Sequence, residues 1–277
     1  MRFRFVSLFA ALVLALAVPA CGGASRTTYA RHPGGALVFD RTSQDVKALE
    51  LADKVLAAHG GGDKWTGAKQ LRWSQSVAQD GKEVIGGEQA WDRWNGRHWG
   101  KVRREEGAII VMRSLYEENG KVFMEKEVGL RKIEGGAEDA IKSAKERWEF
   151  DTALLFMPWL LEEPGTKLEI AGVAQSEDGK EQDVLKVTFD PKDTTRTAIY
   201  YVVIDRATNM IARIEIQKAG RPETERLGYA LTAYQDGGGL KYPTQAQNIG
   251  LKSEVVSFKD LKISDPDDDL WTPPPML

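Results

Sequence analysis

Between Ser43 and His59, apolar side chains recur at helical intervals: Val46, Leu49, Val55 and Leu56, interleaved with alanines at 48, 52, 57 and 58. The spacing predicts one helix, capped by Thr42 or Ser43 and stopped by Gly60-Gly61-Gly62. His59 falls in its last turn, where the helix dipole favours a cation. After Trp65 the period shortens to two. Alternating runs at 70–79, 83–93, 97–104, 108–116, 121–127, 167–175, 184–190, 198–205, 211–218, 224–234, 241–248 and 252–263 predict strands. Turn dipeptides punctuate them: Asp80-Gly81, Asn95-Gly96, Asn119-Gly120 and Asp178-Gly179, with Asp236-Gly237 opening a longer glycine turn. Leu227, Tyr229, Leu231 and Ala233 oppose Arg226, Gly228, Ala230 and Thr232, and Ile214 and Ile216 oppose Arg213, Glu215 and Gln217. One dry face and one wetter face is the pattern of a curved antiparallel sheet.

A helical interlude breaks the strand rhythm. Ala140, Ile141, Ala144 and Trp148 stand at helical spacing within Glu138 to Trp148, and the run from Ala153 to Leu161 carries no charge. Pro158 predicts a short helix, a kink or turn, and a second apolar anchor there. With strands on both sides and no tandem repeat, residues 43–277 read as a single domain, α+β and mainly antiparallel β.

The chain opens differently. Arg2 and Arg4 precede an apolar run from Phe5 to Val18, broken only by Ser7 and closed by small residues. Residues 1–20 read as a secretory signal peptide. The tetrad Val18-Pro19-Ala20-Cys21 resembles the bacterial lipobox, which implies diacylglycerol on the Cys21 thiol after cleavage. A lone thiol in an exported protein is an oxidation liability unless modification consumes it. Residues 21–42, rich in Gly, Ser, Thr, Arg and Pro, then read as a flexible tether. The expected location is the cell envelope, anchored through Cys21 at the outer membrane and facing the periplasm, since Gly22 replaces the aspartate of an inner-membrane retention signal.

Composition narrows the chemistry. A net charge of −3 over 277 residues, more acidic still without Arg2 and Arg4, argues against nucleic acid as a partner. One cysteine and three scattered histidines leave no metal site to propose, and no cofactor motif is present. Asp265, Asp267, Asp268 and Asp269 lack the spacing and terminal glutamate of a calcium loop and read as a solvated turn. No G-x-S-x-G elbow, phosphate loop or H-E-x-x-H occurs, so the expectation is a protein that is not an enzyme. A hydrolase with His59 or His98 as base is the minor alternative. Eight tryptophans stand out, either as core or as the lining of an apolar cavity.

The order of motifs completes the reading. His59-Gly60-Gly61, Asp63-Lys64-Trp65 and Leu71-Arg72-Trp73 open the domain. Phe156-Met157-Pro158-Trp159-Leu160-Leu161, Leu185 to Phe189 and Tyr201 to Asp205 occupy its middle. Tyr229 to Tyr234, Gly239-Leu240-Lys241-Tyr242-Pro243, Val256-Ser257-Phe258 and Asp269 to Pro273 close it. Over roughly residues 45–274 this order resembles bacterial outer-membrane lipoprotein-sorting factors, the LolA/LolB-like proteins. The resemblance implies an unclosed β half-barrel with helices over its concave face, holding an acyl chain, lipid or lipoprotein tail between sheet and helices. The corresponding cavity and lid residues here are Trp73, Trp91, Trp99, Leu155, Phe156 and Trp159. The other expectation is the same fold with a filled core, docking on an envelope protein partner through Glu125 to Arg147 or the Asp236–Gly239 loop.

Overall fold

Turn chemistry sets the strands first. Asp80 and Gly81 both take positive φ, 50° and 77°, the mirror-image turn whose twist matches its flanking strands β1 (Gln70–Gln79) and β2 (Lys82–Asp92). The computed structural model describes residues 39–117, 119–126, 129–191 and 195–272. The signal peptide, Cys21 and most of the 21–42 tether lie outside the described residues. β3 (Arg97–Arg104), β4 (Gly107–Ser114), β5 (Gly120–Lys126) and β6 (Gly129–Lys132) continue the first meander. The second comprises β7 (Thr166–Gln175), β8 (Glu181–Phe189), β9 (Ile199–Asp205), β10 (Ile211–Gln217), β11 (Leu227–Gly237), β12 (Leu240–Asn248) and β13 (Glu254–Ser264). Twelve of these match the predicted runs. β6 does not, because four residues are too few to show alternation.

β1 pairs with β13, which joins the meanders into one antiparallel sheet ordered β6-β5-β4-β3-β2-β1-β13-β12-β11-β10-β9-β8-β7. The sheet stays open, with β6 and β7 at opposite edges. The chain between these edges must cross the sheet, and it does so as one helix, α3 (Ala137–Leu160). The predicted kink is absent. Pro158 sits within the last turn, where its missing N–H frees only the Leu154 carbonyl and the helix ends two residues on.

The two halves of α3 differ. From Trp148 to Leu160 every residue except Phe150 is buried, whereas none from Ala137 to Arg147 is. The buried half lies between the sheet and α1 (Val46–Ala58), with α2 (Asp63–Gly67) close by. The segment expected as a lid is thus the middle layer of the core. Among the described residues no helix is long and apolar enough to cross a membrane.

Several boundaries move. Asp45, not Thr42 or Ser43, caps α1 by accepting from Ala48 N at 2.9 Å. Phe39 to Thr42, read as tether, belong to the folded unit: Asp40 caps a 3-10 turn, and Arg41 pairs with Asp53 at 2.8 Å and with Glu162. Gly60 packs so closely on Gly239 that a Cβ would lie 2.2 Å from its carbonyl oxygen. In β11, Ala233 takes a positive φ of 52° with the register to β12 unshifted, and Tyr234 rather than Ala233 packs on the core.

Candidate functional site

The expected cavity aromatics are brought together, but as packed core. Phe156 lies 5.5 Å from Trp73, 6.2 Å from Trp91 and 6.5 Å from Trp159 by ring centroids. Trp65, not among the six expected residues, joins them at 5.4 Å from Phe156 and stacks on Trp159 at 5.5 Å. The Arg93 guanidinium lies over the Trp65 ring at 3.7 Å and donates to Ala68 O and Glu163. Leu155 is wholly buried. Trp99 stands apart: it pairs with Ala90 and packs with Ile110, Met112 and Phe123 on the opposite face of the sheet, alongside Leu270 and Trp271. Strand parity explains the separation, since Trp91 and Trp99 point to opposite sides of their shared ladder.

Open space lies instead beside the unburied half of α3. A cavity of about 530 Å³ has Val77, Ile85, Ile216, Leu227, Tyr229 and Val256 in its walls. A second, of about 310 Å³, runs along the other side of the helix against Val102, Ile109, Val111, Ala140 and Ala144. Both reach the range of small-molecule sites, about 300–1,000 Å³. None of the six predicted site residues lines either one.

Ser143 and Arg147 line both cavities. Arg147 is a strut from helix to sheet: its Nε donates to Gln75 Oε1 at 2.7 Å and meets Asp151 at 3.0 Å. Behind it runs a buried chain of hydrogen bonds. Arg113 Nε donates to His98 Nδ1 at 3.0 Å, so the ring proton sits on Nε2 and is donated to Gln89 Oε1 at 2.7 Å. Gln89 Nε2 in turn donates to Asp151 Oδ2 at 2.5 Å. Burial pushes Asp151 up to about 6, with Arg147 opposing. Burial, and secondarily the Arg113 charge, hold His98 well below its ordinary value. Burial also brings Arg113 down to about 10.

The larger cavity's buried charge is also satisfied from within. Glu149 accepts from Thr197 N at 2.7 Å, Ala198 N at 2.9 Å and Tyr200 OH at 3.2 Å. Glu254 accepts from Tyr229 OH and Asn248, each at 2.9 Å. His59 is buried as well. Its Nδ1 bonds Val55 O at 2.8 Å, its ring meets Trp159 and Tyr234, and burial lowers it to about 4. It closes α1 as a neutral ring and not as the expected cation. The acidic turn behaves as read: Asp265 pairs with Lys69 at 2.8 Å, Asp268 with Arg97 at 3.1 Å, and Asp267 caps a 3-10 turn. Among the described residues no group of acids, histidines or cysteines could hold a metal.

The polar strut and chain were not assembled from sequence, although one signal was present. Gln75 stands two residues from Trp73, and Gln89 two from Trp91, so each puts a polar group on an apolar face.

The architecture is an unclosed antiparallel half-barrel with a helix across its concave face. Solved structures similar to the chain include a LolA superfamily protein from Nitrosomonas europaea, with 12% identity over 82% of this chain and 97% of that one, TM-score 0.48. A DUF1329 family protein from Desulfovibrio piger shares 12% identity over 81% and 97%, TM-score 0.46. MucB, in its complex with MucA from Pseudomonas aeruginosa, shares 11% over 82% and 61%, TM-score 0.26. No family model and no curated protein matches the sequence.

Proposed function

We propose that this protein is a non-catalytic binding protein of the bacterial envelope that holds a hydrophobic ligand, an acyl chain, lipid or lipoprotein tail, against the concave face of its half-barrel. In this reading Cys21 carries the lipid anchor, residues 21 to about 38 space the domain from the outer membrane, and the cavities face the periplasm. The observation that carries it is the 530 Å³ cavity, in which Val77, Ile85, Ile216, Leu227 and Val256 of the sheet side face α3, with the charged groups Glu146, Arg147, Glu149, Lys218 and Glu254 also in its lining. Apolar surface left in water on both sides of a gap is unfavourable, and a chain that fills the gap recovers about 0.8 kcal/mol per buried methylene. The neighbourhood of the cavities supports binding over catalysis. His98 has both ring nitrogens engaged, and Glu149 and Glu254 are each held by donors from the protein.

The deep part of the half-barrel favours a second reading. There Trp65 and Trp159 border a crevice of only about 60 Å³, and Trp91 and Trp148 one of about 30 Å³, as in a filled core that serves docking on an envelope partner. Native mass spectrometry of the purified chain bearing Cys21→Ser separates the two. A bound species released on denaturation supports the binding reading and names the ligand class. A clean apo mass that ignores added phospholipid and fatty acid moves the function to docking.

A further inference from the structure

We propose that the two cavities are paired compartments of one site, and that its ligand is a two-chain amphiphile whose chains lie on either side of the Arg147 strut. The inference rests on the binding reading above and names the ligand class for it. Three observations lead to it. The compartments, about 530 and 310 Å³, flank the same half-helix and share Ser143 and Arg147 in their linings. Each has its own aliphatic wall, Val77, Ile216 and Val256 on one side and Val102, Ile109 and Val111 on the other. Between them Arg147, half-buried, is fastened to Gln75 and to the buried Asp151, so a single unbranched chain cannot fill both without displacing that ion pair.

Ser143 lies one helical turn outward from the strut, is exposed, and still lines both compartments. That is where two chains diverging from one head group would separate. A ligand with a single chain would leave one compartment wet, and one with two chains dries both.

The test compares dioctanoyl-phosphatidylcholine with its single-chain counterpart carrying the same head, each titrated below its aggregation concentration into the chain bearing Cys21→Ser. The two-chain lipid is expected to bind more tightly, on the order of tenfold or more. Greater hydrophobicity alone would also favour it, so the deciding variant is Ala144→Trp, which fills the smaller compartment from a half-buried helix position. This variant should lose the two-chain advantage, so that it binds the two lipids with affinities within about twofold of each other. Ala140→Trp, in the same compartment, serves if the first variant does not fold. A two-chain preference that survives a folded variant overturns the two-compartment site and leaves the binding reading standing. Failure of both lipids to bind the parent overturns both.

Discussion

Arg147 and Asp151 set the electrostatics beneath α3, and removing either partner has a signed consequence. Asp151 is fully buried, and its folded value of about 6 lies above the unfolded 3.8. Its contribution to stability is therefore complete below about pH 4 and is lost as pH rises through about 6. Arg147→Ala removes the cation paired with that carboxylate and pushes it higher still. Chemical denaturation should show a loss of about 3 kcal/mol at pH 7.5 that shrinks at pH 5, where Asp151 carries a proton in both proteins. A loss equal at the two pH values would mean that the strut acts by packing alone. His59 has the opposite sign. Its folded value of about 4 lies below the unfolded 6.5, so the unfolded chain takes up the proton first as pH falls. Stability from His59 is present above pH 6.5 and is lost towards pH 4, roughly 3 kcal/mol in all. His59→Phe should flatten that part of the stability–pH curve, read by denaturation from pH 7.5 to 4.5.

At the scale of elements, α3 joins two different helices in one. Its C-terminal half is buried among α1, α2 and the sheet, so Phe156→Ala should cost about 3–5 kcal/mol in urea unfolding. Its N-terminal half contributes little to the core, and Ile141→Ser should cost about 1 kcal/mol or less. Comparable losses at the two positions would show that Ala137–Arg147 is packed as firmly as the rest. The strands themselves were legible from alternation and turn dipeptides because each depends on near neighbours in sequence: two-residue periodicity, and glycine where φ must be positive. The course of α3 was not. Pro158 argued for a break on local grounds, but a helix buried on every side gains more from its tertiary contacts than it loses in one hydrogen bond.

For the whole molecule, the open sheet forces the geometry of the proposed site. β6 and β7 are consecutive strands at opposite edges, so their connection has to lie over the concave face and enclose space wherever it does not pack. Ligand that binds only the folded state then stabilises it. Phosphatidylcholine at a hundredfold excess over its Kd should raise the unfolding free energy by about 2.7 kcal/mol, visible as a higher Tm. A Tm indifferent to lipid, with a clean apo mass, would favour docking.

By itself the amino-acid sequence determined the class of the fold, the positions of twelve strands, the first helix and the absence of familiar catalytic motifs. Each of these is written in local spacing. Tertiary structure alone decided which aromatics meet. Trp73, Trp91 and Phe156 come from three separated segments and close a core, while Trp99, eight residues from Trp91, falls on the other face. It alone decided where space remains. A cavity is what is left when distant elements fail to touch, and the residues around this one, from Val77 to Val256, carry no shared mark in sequence. It likewise assembled Arg113, His98, Gln89, Asp151 and Arg147 into one chain, because hydrogen bonds across a core depend on the packing of elements and not on their order.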